Sequence, residues 1–132
     1  MEIIQRILID TNIYSHAFKG DEEVTEILRK VSGIGLSAIS VGELLSGFRG
    51  GRNEKKNRKQ LTEFLDTPRV TLYPIDESTA EHYSAILDQL RKEGAPIPTN
   101  DIWIAAVARQ HGLPLFTRDR HFSKVNGLLL VG

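Results

Sequence analysis

Arg6-Ile7-Leu8-Ile9-Asp10-Thr11-Asn12 is the stretch that decides how the chain folds. After Arg6 the residues are aliphatic and mostly β-branched, which favours extended backbone, whereas Asp10, Thr11 and Asn12 are polar turn formers. The segment reads as a buried first strand that stops at a carboxylate.

Similar short apolar segments recur downstream. Ile34 to Ser37 is a second strand, Val70 to Ile75 a third and Leu113 to Thr117 a fourth, with Leu128 to Val131 as a last edge strand. Helices separate them. Asp21 to Val31 sets Val24, Ile27, Leu28 and Val31 at helical spacing, with acids in the first turn, and Ser32-Gly33 closes it. Ser40 opens a helix that runs through Phe48 and is weakened and ended by Gly47 and Gly50-Gly51, and Asn53 to Asp66 resumes as a charged helix.

Glu77 to Glu93 carries Ala80, Tyr83, Ile86, Leu87 and Leu90 on one stripe. Gly94-Ala95-Pro96-Ile97-Pro98 must be extended linker, and Thr99 to His111 is a helix whose apolar middle, Ile102 to Ala108, requires burial on most sides. Short strands alternating with helices predict an α/β fold, a three-layer α/β/α sandwich around a central, mainly parallel sheet of four to five strands. With 132 residues, 40% of them hydrophobic, and no repeat or second compositional zone, residues 1–132 are expected to form one domain.

Lysine plus arginine equals aspartate plus glutamate at 17 each, so net charge gives no sign of a polyanionic partner or an anionic membrane. Recognition of nucleic acid, if any, has to be local. Cysteine is absent, which excludes disulfides, thiolate metal sites and cysteine nucleophiles and suits a reducing, cytoplasmic setting. His16, His82, His111 and His121 are widely separated, and no pair has the close helical spacing used by zinc hydrolases, so each reads as a surface or packing residue. Gln5-Arg6 interrupts Ile3-Ile4 and Ile7-Leu8-Ile9, so no signal-peptide core is expected. No apolar run approaches the roughly 20 residues of a membrane span.

In a parallel α/β sheet, strand carboxyl ends and the N-termini of the following helices share one rim, where ligands bind. Asp10 ends the first strand, Asp119 lies just past the fourth, Glu43 falls in the first turn after Ser40, and Asp101 in the first turn after Thr99. Two helices separate the third and fourth strands, so Gly94 to Pro98 must carry the chain back to that rim. Five or six extended residues span roughly 20 Å, about the length of a 13-residue helix, so the return is geometrically possible.

Taken singly, each acid has a structural explanation. Ser40-Val41-Gly42-Glu43 fits a capping box, Asp101 complements a helix dipole, and Asp10 and Asp119 can be caps or turn residues. Taken together they are like charges on one rim, two of them beside strongly apolar segments, where an unpartnered carboxylate is costly. Such a set calls for a cation, and hard oxygen ligands without histidine or cysteine favour Mg2+ or Mn2+ over Zn2+.

Leu8-Ile9-Asp10-Thr11-Asn12, Ser40-Val41-Gly42-Glu43-Leu44, Asn100-Asp101-Ile102-Trp103-Ile104-Ala105-Ala106 and Thr117-Arg118-Asp119-Arg120-His121-Phe122, in this order, resemble the PIN-domain ribonucleases and within them the VapC toxins. The resemblance runs from Ile7 to Phe122. It implies an acidic metal site at Asp10, Glu43, Asp101 and Asp119, with Asp10 and Asp101 as principal ligands and Glu43 and Asp119 as direct or water-mediated ones. Thr117 and Asn12 match the family's polar supporters, Thr117 orienting a carboxylate or a metal-bound water. Many members have a second acid where this chain has His121, which puts a second metal position in doubt.

The resemblance further implies a Mg2+ or Mn2+ cofactor and in-line hydrolysis of RNA phosphodiesters by a metal-activated water, leaving 5′-phosphate and 3′-hydroxyl ends. It also implies a homodimer and a cognate small antitoxin protein whose bound segment covers the acidic site. Arg49, Arg52, Lys55, Lys56, Arg58 and Lys59, against Glu54 alone, form either a solvated helix face or a cradle for an RNA backbone. Arg118 and Arg120 flank Asp119 and could contact phosphate. Trp103 reads as core rather than as a base-stacking platform.

Other readings fit less well. A dehalogenase-like phosphatase needs a second aspartate where this chain has Asn12, and a receiver-like signalling domain needs an early acidic pair that is missing. A catalytically inactive PIN-like module that only binds RNA or a partner would not require all four acids.

Overall fold

A computed structural model describes residues 5–132, so the sequence reading that involves Ile3-Ile4 lies outside the described residues. Strands β1 (Arg6–Ile9), β2 (Gly33–Ser37), β3 (Val70–Tyr73), β4 (Leu115–Phe116) and β5 (Leu130–Val131) form one sheet of order β3-β2-β1-β4-β5. Every neighbouring pair is parallel. The opening strand is therefore the centre of the sheet, paired on both sides, and this accounts for its unbroken apolar run: Ile7, Leu8 and Ile9 are all buried.

Parallel pairing obliges helices to carry the chain back, and it places them on both faces. The helices are α1 (Thr11–Phe18), α2 (Glu22–Lys30), α3 (Ala38–Phe48), α4 (Glu54–Leu65), α5 (Glu77–Glu93) and α6 (Thr99–His111). Side-chain alternation along β1 divides the core. Ile7 and Ile9 join Ile13, Val24, Leu28, Leu44 and Leu61 on the α1 to α4 side, while Leu8 packs with Ile86, Leu90, Ile104 and Val107 on the α5 and α6 side. The three-layer sandwich is thus observed, with five strands.

Local chemistry sets most boundaries. Asp21 caps α2 by accepting from the Val24 amide, and Asp76 and Thr79 form a reciprocal capping box that starts α5. Helices α5 and α6 both end at glycines in the left-handed region, Gly94 (φ 62°) and Gly112 (φ 63°), where a side chain would be strained. Residues 95–98 between them are extended, and α5 packs against α6, as the return to the rim requires.

Several expectations need correction. Thr11 to Phe18, beginning in what reads as a polar turn, is helix α1, because Asp10 serves as its N-cap and accepts from the Thr11 amide. The cap of α3 is Ser37, whose hydroxyl accepts from the Ser40 amide, so Glu43 lies in the second turn and no capping box forms there. Ala80 is exposed, and the buried stripe of α5 rests instead on Thr79, Ile86 and Leu90. Val31 ends α2, and Gly33 already belongs to β2. Among the described residues no helix is long and apolar enough to cross a membrane.

Candidate metal centre

The chain builds the sheet outward from β1 through β2 to β3, then returns to place β4 and β5 on the other side of β1. The order in which strands are added reverses at β1, which leaves a crevice at the carboxyl ends of β1 and β4, the usual ligand position in such sheets. Asp10 directly follows β1, and Thr117 directly follows β4. A cleft of about 360 Å³ opens there, lined by Asp10, Glu43, Asp101 and Asp119 together with Thr11 and Asn12. All four acids singled out in the sequence therefore meet in one cleft.

Asp10 is 5% exposed and fully engaged on one side: Oδ1 accepts from the Thr11 amide at 2.7 Å and Oδ2 from the Thr117 hydroxyl at 2.9 Å. Its carboxyl is raised to about 6, chiefly by burial, with the two hydrogen bonds opposing the rise and the charges of Asp101 and Asp119 adding to it. The Asp101 carboxyl is raised too, chiefly by burial, with its contact to His121 opposing and Asp119 and Glu43 adding to the rise. The acids thus repel one another within a partly dry cleft.

Thr117 is itself held in place. Its hydroxyl oxygen accepts from the Asp119 amide at 2.9 Å while donating to Asp10, so one buried threonine couples two of the acids. Asp119 caps a short 3-10 helix, Arg120–Lys124, by accepting from the His121 amide, and buried Phe122 anchors that helix in the core.

Glu43 is fixed by another route. Its Oε1 accepts from Thr11 Oγ1, and its Oε2 accepts from Asn100 Nδ2 at 3.1 Å. Thr11 Oγ1 also lies 2.7 Å from Ser40 Oγ. A hydroxyl carries one proton, so with Thr11 donating to Glu43, buried Ser40 donates to Thr11. Ser40 thus contributes to the site through its side chain, in place of the cap expected from the sequence.

His121, read from the sequence as a surface or packing residue and as a departure from the family's acid at that position, lies against the acids. Its Nδ1 lies 3.1 Å from Asp101 Oδ2 and 3.2 Å from Asp119 Oδ1, and these three side chains form a compact group able to hold a metal ion. Arg118 turns away from the acids, pairing with Asp21 at 2.7 Å and Glu23 at 2.9 Å, so it does not neutralise them. Arg120 is exposed, and Trp103, only half buried, stacks on Tyr83 with ring centroids 4.0 Å apart. In the basic segment Arg58 pairs with Glu54, while Arg49, Arg52, Lys55, Lys56 and Lys59 are exposed and follow in sequence the cleft-lining residues Gly47 and Phe48.

The donor set suits a divalent cation on physical grounds. Mutually repelling carboxylates with raised proton affinity gain most from a compact positive charge, and each retains oxygen lone pairs beyond its structural hydrogen bonds.

A nuclease-type acidic cleft at the switch point of a parallel sandwich defines a class, and the comparisons agree with it. Residues 7–128 match the PIN domain family, and the chain belongs to that family. It is 35% identical over 122 residues to Toxin FitB of Neisseria gonorrhoeae, covering 86% of this chain and 87% of that protein. It is 31% identical over 126 residues to Ribonuclease VapC2 of Haemophilus influenzae, covering 93% of this chain and 94% of the relative. Among solved structures, VapBC-1 from nontypeable Haemophilus influenzae shares the fold with a TM-score of 0.85 at 25% identity, covering 96% of this chain and 97% of the other.

Proposed function

We propose that this chain is a Mg2+- or Mn2+-dependent endoribonuclease, the toxin of a toxin–antitoxin pair, and that Asp10, Glu43, Asp101 and Asp119 hold its cation. The observation that carries the reading is the convergence of these four acids in one cleft of a PIN-family fold. Relatives named as ribonucleases and toxins over almost the full length support it.

Asp10 and Asp101 are the principal ligands, since their burial makes them depend most on a cation. Glu43 and Asp119 act as direct or water-mediated ligands. Thr117 is a positioning residue that fixes the Asp10 carboxylate and the Asp119 backbone. When bound, the cation supplies Lewis acidity that lowers the pKa of water and offsets charge on the phosphate. Thr11 and Asn100 hold both Glu43 oxygens toward the cleft, leaving lone pairs to accept from water.

RNA is the substrate, and the exposed cations from Arg49 to Lys59 guide its backbone. A small antitoxin protein covers the cleft, the active species is a homodimer, residues 1–132 act as one nuclease domain, and the chain works in the cytoplasm. The test is incubation of purified protein with end-labelled RNA and Mn2+ or Mg2+. Fragments with 5′-phosphate and 3′-hydroxyl ends are expected. Intact RNA in both cations overturns the reading.

A further inference from the structure

The expectation of an all-oxygen ligand set rests on histidines that lie far apart in sequence. In space one of them borders the site, in contact with two of its four acids. His121 Nδ1 is 3.1 Å from Asp101 Oδ2 and 3.2 Å from Asp119 Oδ1. Two adjacent ligands on an octahedral cation, each at roughly 2.1 Å, lie roughly 3 Å apart. Both distances from Nδ1 match that spacing, and one donor atom from each of the three residues lies within 4.8 Å of the other two.

Without a cation the ring is held by its hydrogen bond to Asp101 and its proximity to Asp119, the same two carboxylates that a shared ion would join to it. The backbone sets the placement of the ring, through the His121 amide donating to Asp119 Oδ1 and through Phe122 buried behind it. The imidazole side chain is 43% exposed and, among the described residues, makes no side-chain hydrogen bond other than to these two acids. Its Nδ1 faces the carboxylates, as a ligand would, rather than solvent or the core.

We propose that His121 is a nitrogen ligand of the cation held in this cleft and that it biases the site toward Mn2+ over Mg2+. The inference rests on the reading of the cleft as a metal centre. Mg2+ prefers an all-oxygen shell and gives up water reluctantly, whereas imidazole is a better ligand for first-row transition ions. A carboxylate at this position would leave the shell entirely oxygen. His121 adds one nitrogen and removes one negative charge, and both changes favour the transition ion relative to Mg2+.

The test is Mn2+ binding to the full chain, followed by pulsed electron paramagnetic resonance and by calorimetry, beside His121→Gln and His121→Asp. The wild type is expected to show nitrogen hyperfine coupling on bound Mn2+, and His121→Gln to lose it. Losing a ligand should cost at least the roughly 10-fold in affinity that losing an outer-shell partner costs. Mn2+ affinity therefore falls by about 10-fold or more in His121→Gln, Mg2+ affinity by less than about twofold, and His121→Asp moves the preference toward Mg2+. Wild-type protein that binds Mn2+ without nitrogen coupling, and as tightly as His121→Gln, overturns the ligand assignment while leaving the acidic centre standing. Failure of the folded wild type to bind either cation overturns the metal centre and this inference with it. Near-ultraviolet circular dichroism of each variant reads out folding separately.

Discussion

The Thr117 hydroxyl donates to Asp10 Oδ2 over 2.9 Å, joining the carboxyl end of the fourth strand to that of the first. The same oxygen accepts from the Asp119 amide, so the contact spans the crevice where the strand order reverses. Thr117→Val removes both interactions while keeping the side chain's shape. It should lower cation affinity by about 10-fold or more and destabilise the protein by about 1–3 kcal/mol, because buried Asp10 loses a donor. Thr117→Ser should recover most of both. Calorimetric Mn2+ titration and urea unfolding check it, and unchanged affinity in Thr117→Val counts against the positioning role.

The burial of Asp10 gives the cation-free protein a particular pH dependence. Its carboxyl sits at about 6 in the folded chain against 3.8 when unperturbed. Between those values the native state binds more protons than the unfolded state, so stability falls as pH rises through the window. The full cost, roughly 3 kcal/mol as an order of magnitude, is in place at neutral pH. Asp101, shifted in the same direction, adds to it. Urea unfolding in chelator should therefore show higher stability near pH 5 than near pH 7. Asp10→Asn should flatten much of that slope and saturating Mn2+ should reverse it. A chelated wild type that gains stability from pH 5 to 7 contradicts the assignment.

Arg118 is engaged with Asp21 and Glu23 rather than facing the cleft, although it flanks Asp119 in sequence. Its two-pronged pairing with Asp21 ties the Asp119 loop to the start of helix α2. Arg118→Met should lower stability slightly at low salt, less at high salt, and leave RNA affinity nearly unchanged. A large loss of RNA binding with stability intact would instead make it a phosphate contact.

The exposed cations from Arg49 to Lys59 should carry the electrostatic part of RNA binding. Lys55→Gln, Lys56→Gln and Lys59→Gln combined should weaken binding and reduce the slope of log affinity against log salt by about 0.7 for each phosphate that is no longer neutralised. Fluorescence anisotropy across a potassium chloride series measures it. An unchanged slope means that this helix face is only solvated.

The fold was legible where periodicity and punctuation agreed. The bounds of α5 and α6 follow from their apolar spacing, from Gly94 and Gly112 in the left-handed region, and from the prolines between them. Helix α1 was hidden because Asp10-Thr11-Asn12 has the same composition whether it forms a turn or a capped helix start, and the fold decides. Ser37 and Ser40 are both chemically able to cap α3, and only the end of β2 at Ser37 selects between them.

The acids were legible for a different reason, since strand and helix polarity alone brings Asp10, Asp101 and Asp119 to one rim. Glu43 reaches it from the second turn of α3, through Thr11 and Asn100. The contact of His121 with Asp101 was not legible, because 20 residues separate the two and no periodicity links the start of α6 to the 3-10 helix beyond the next strand. Its place in the last motif, where many relatives carry an acid, was the signal that pointed to the site.

In the proposed function these carboxylates hold a cation that RNA cleavage requires. The most direct measurement compares initial rates of labelled-RNA cleavage by wild type in Mn2+, in Mg2+ and in chelator, beside Asp101→Asn shown to be folded. Cleavage is expected with a divalent cation, none in chelator, and a rate at least about 100-fold lower in Asp101→Asn. Cleavage that survives chelation, or full activity in Asp101→Asn, would contradict it.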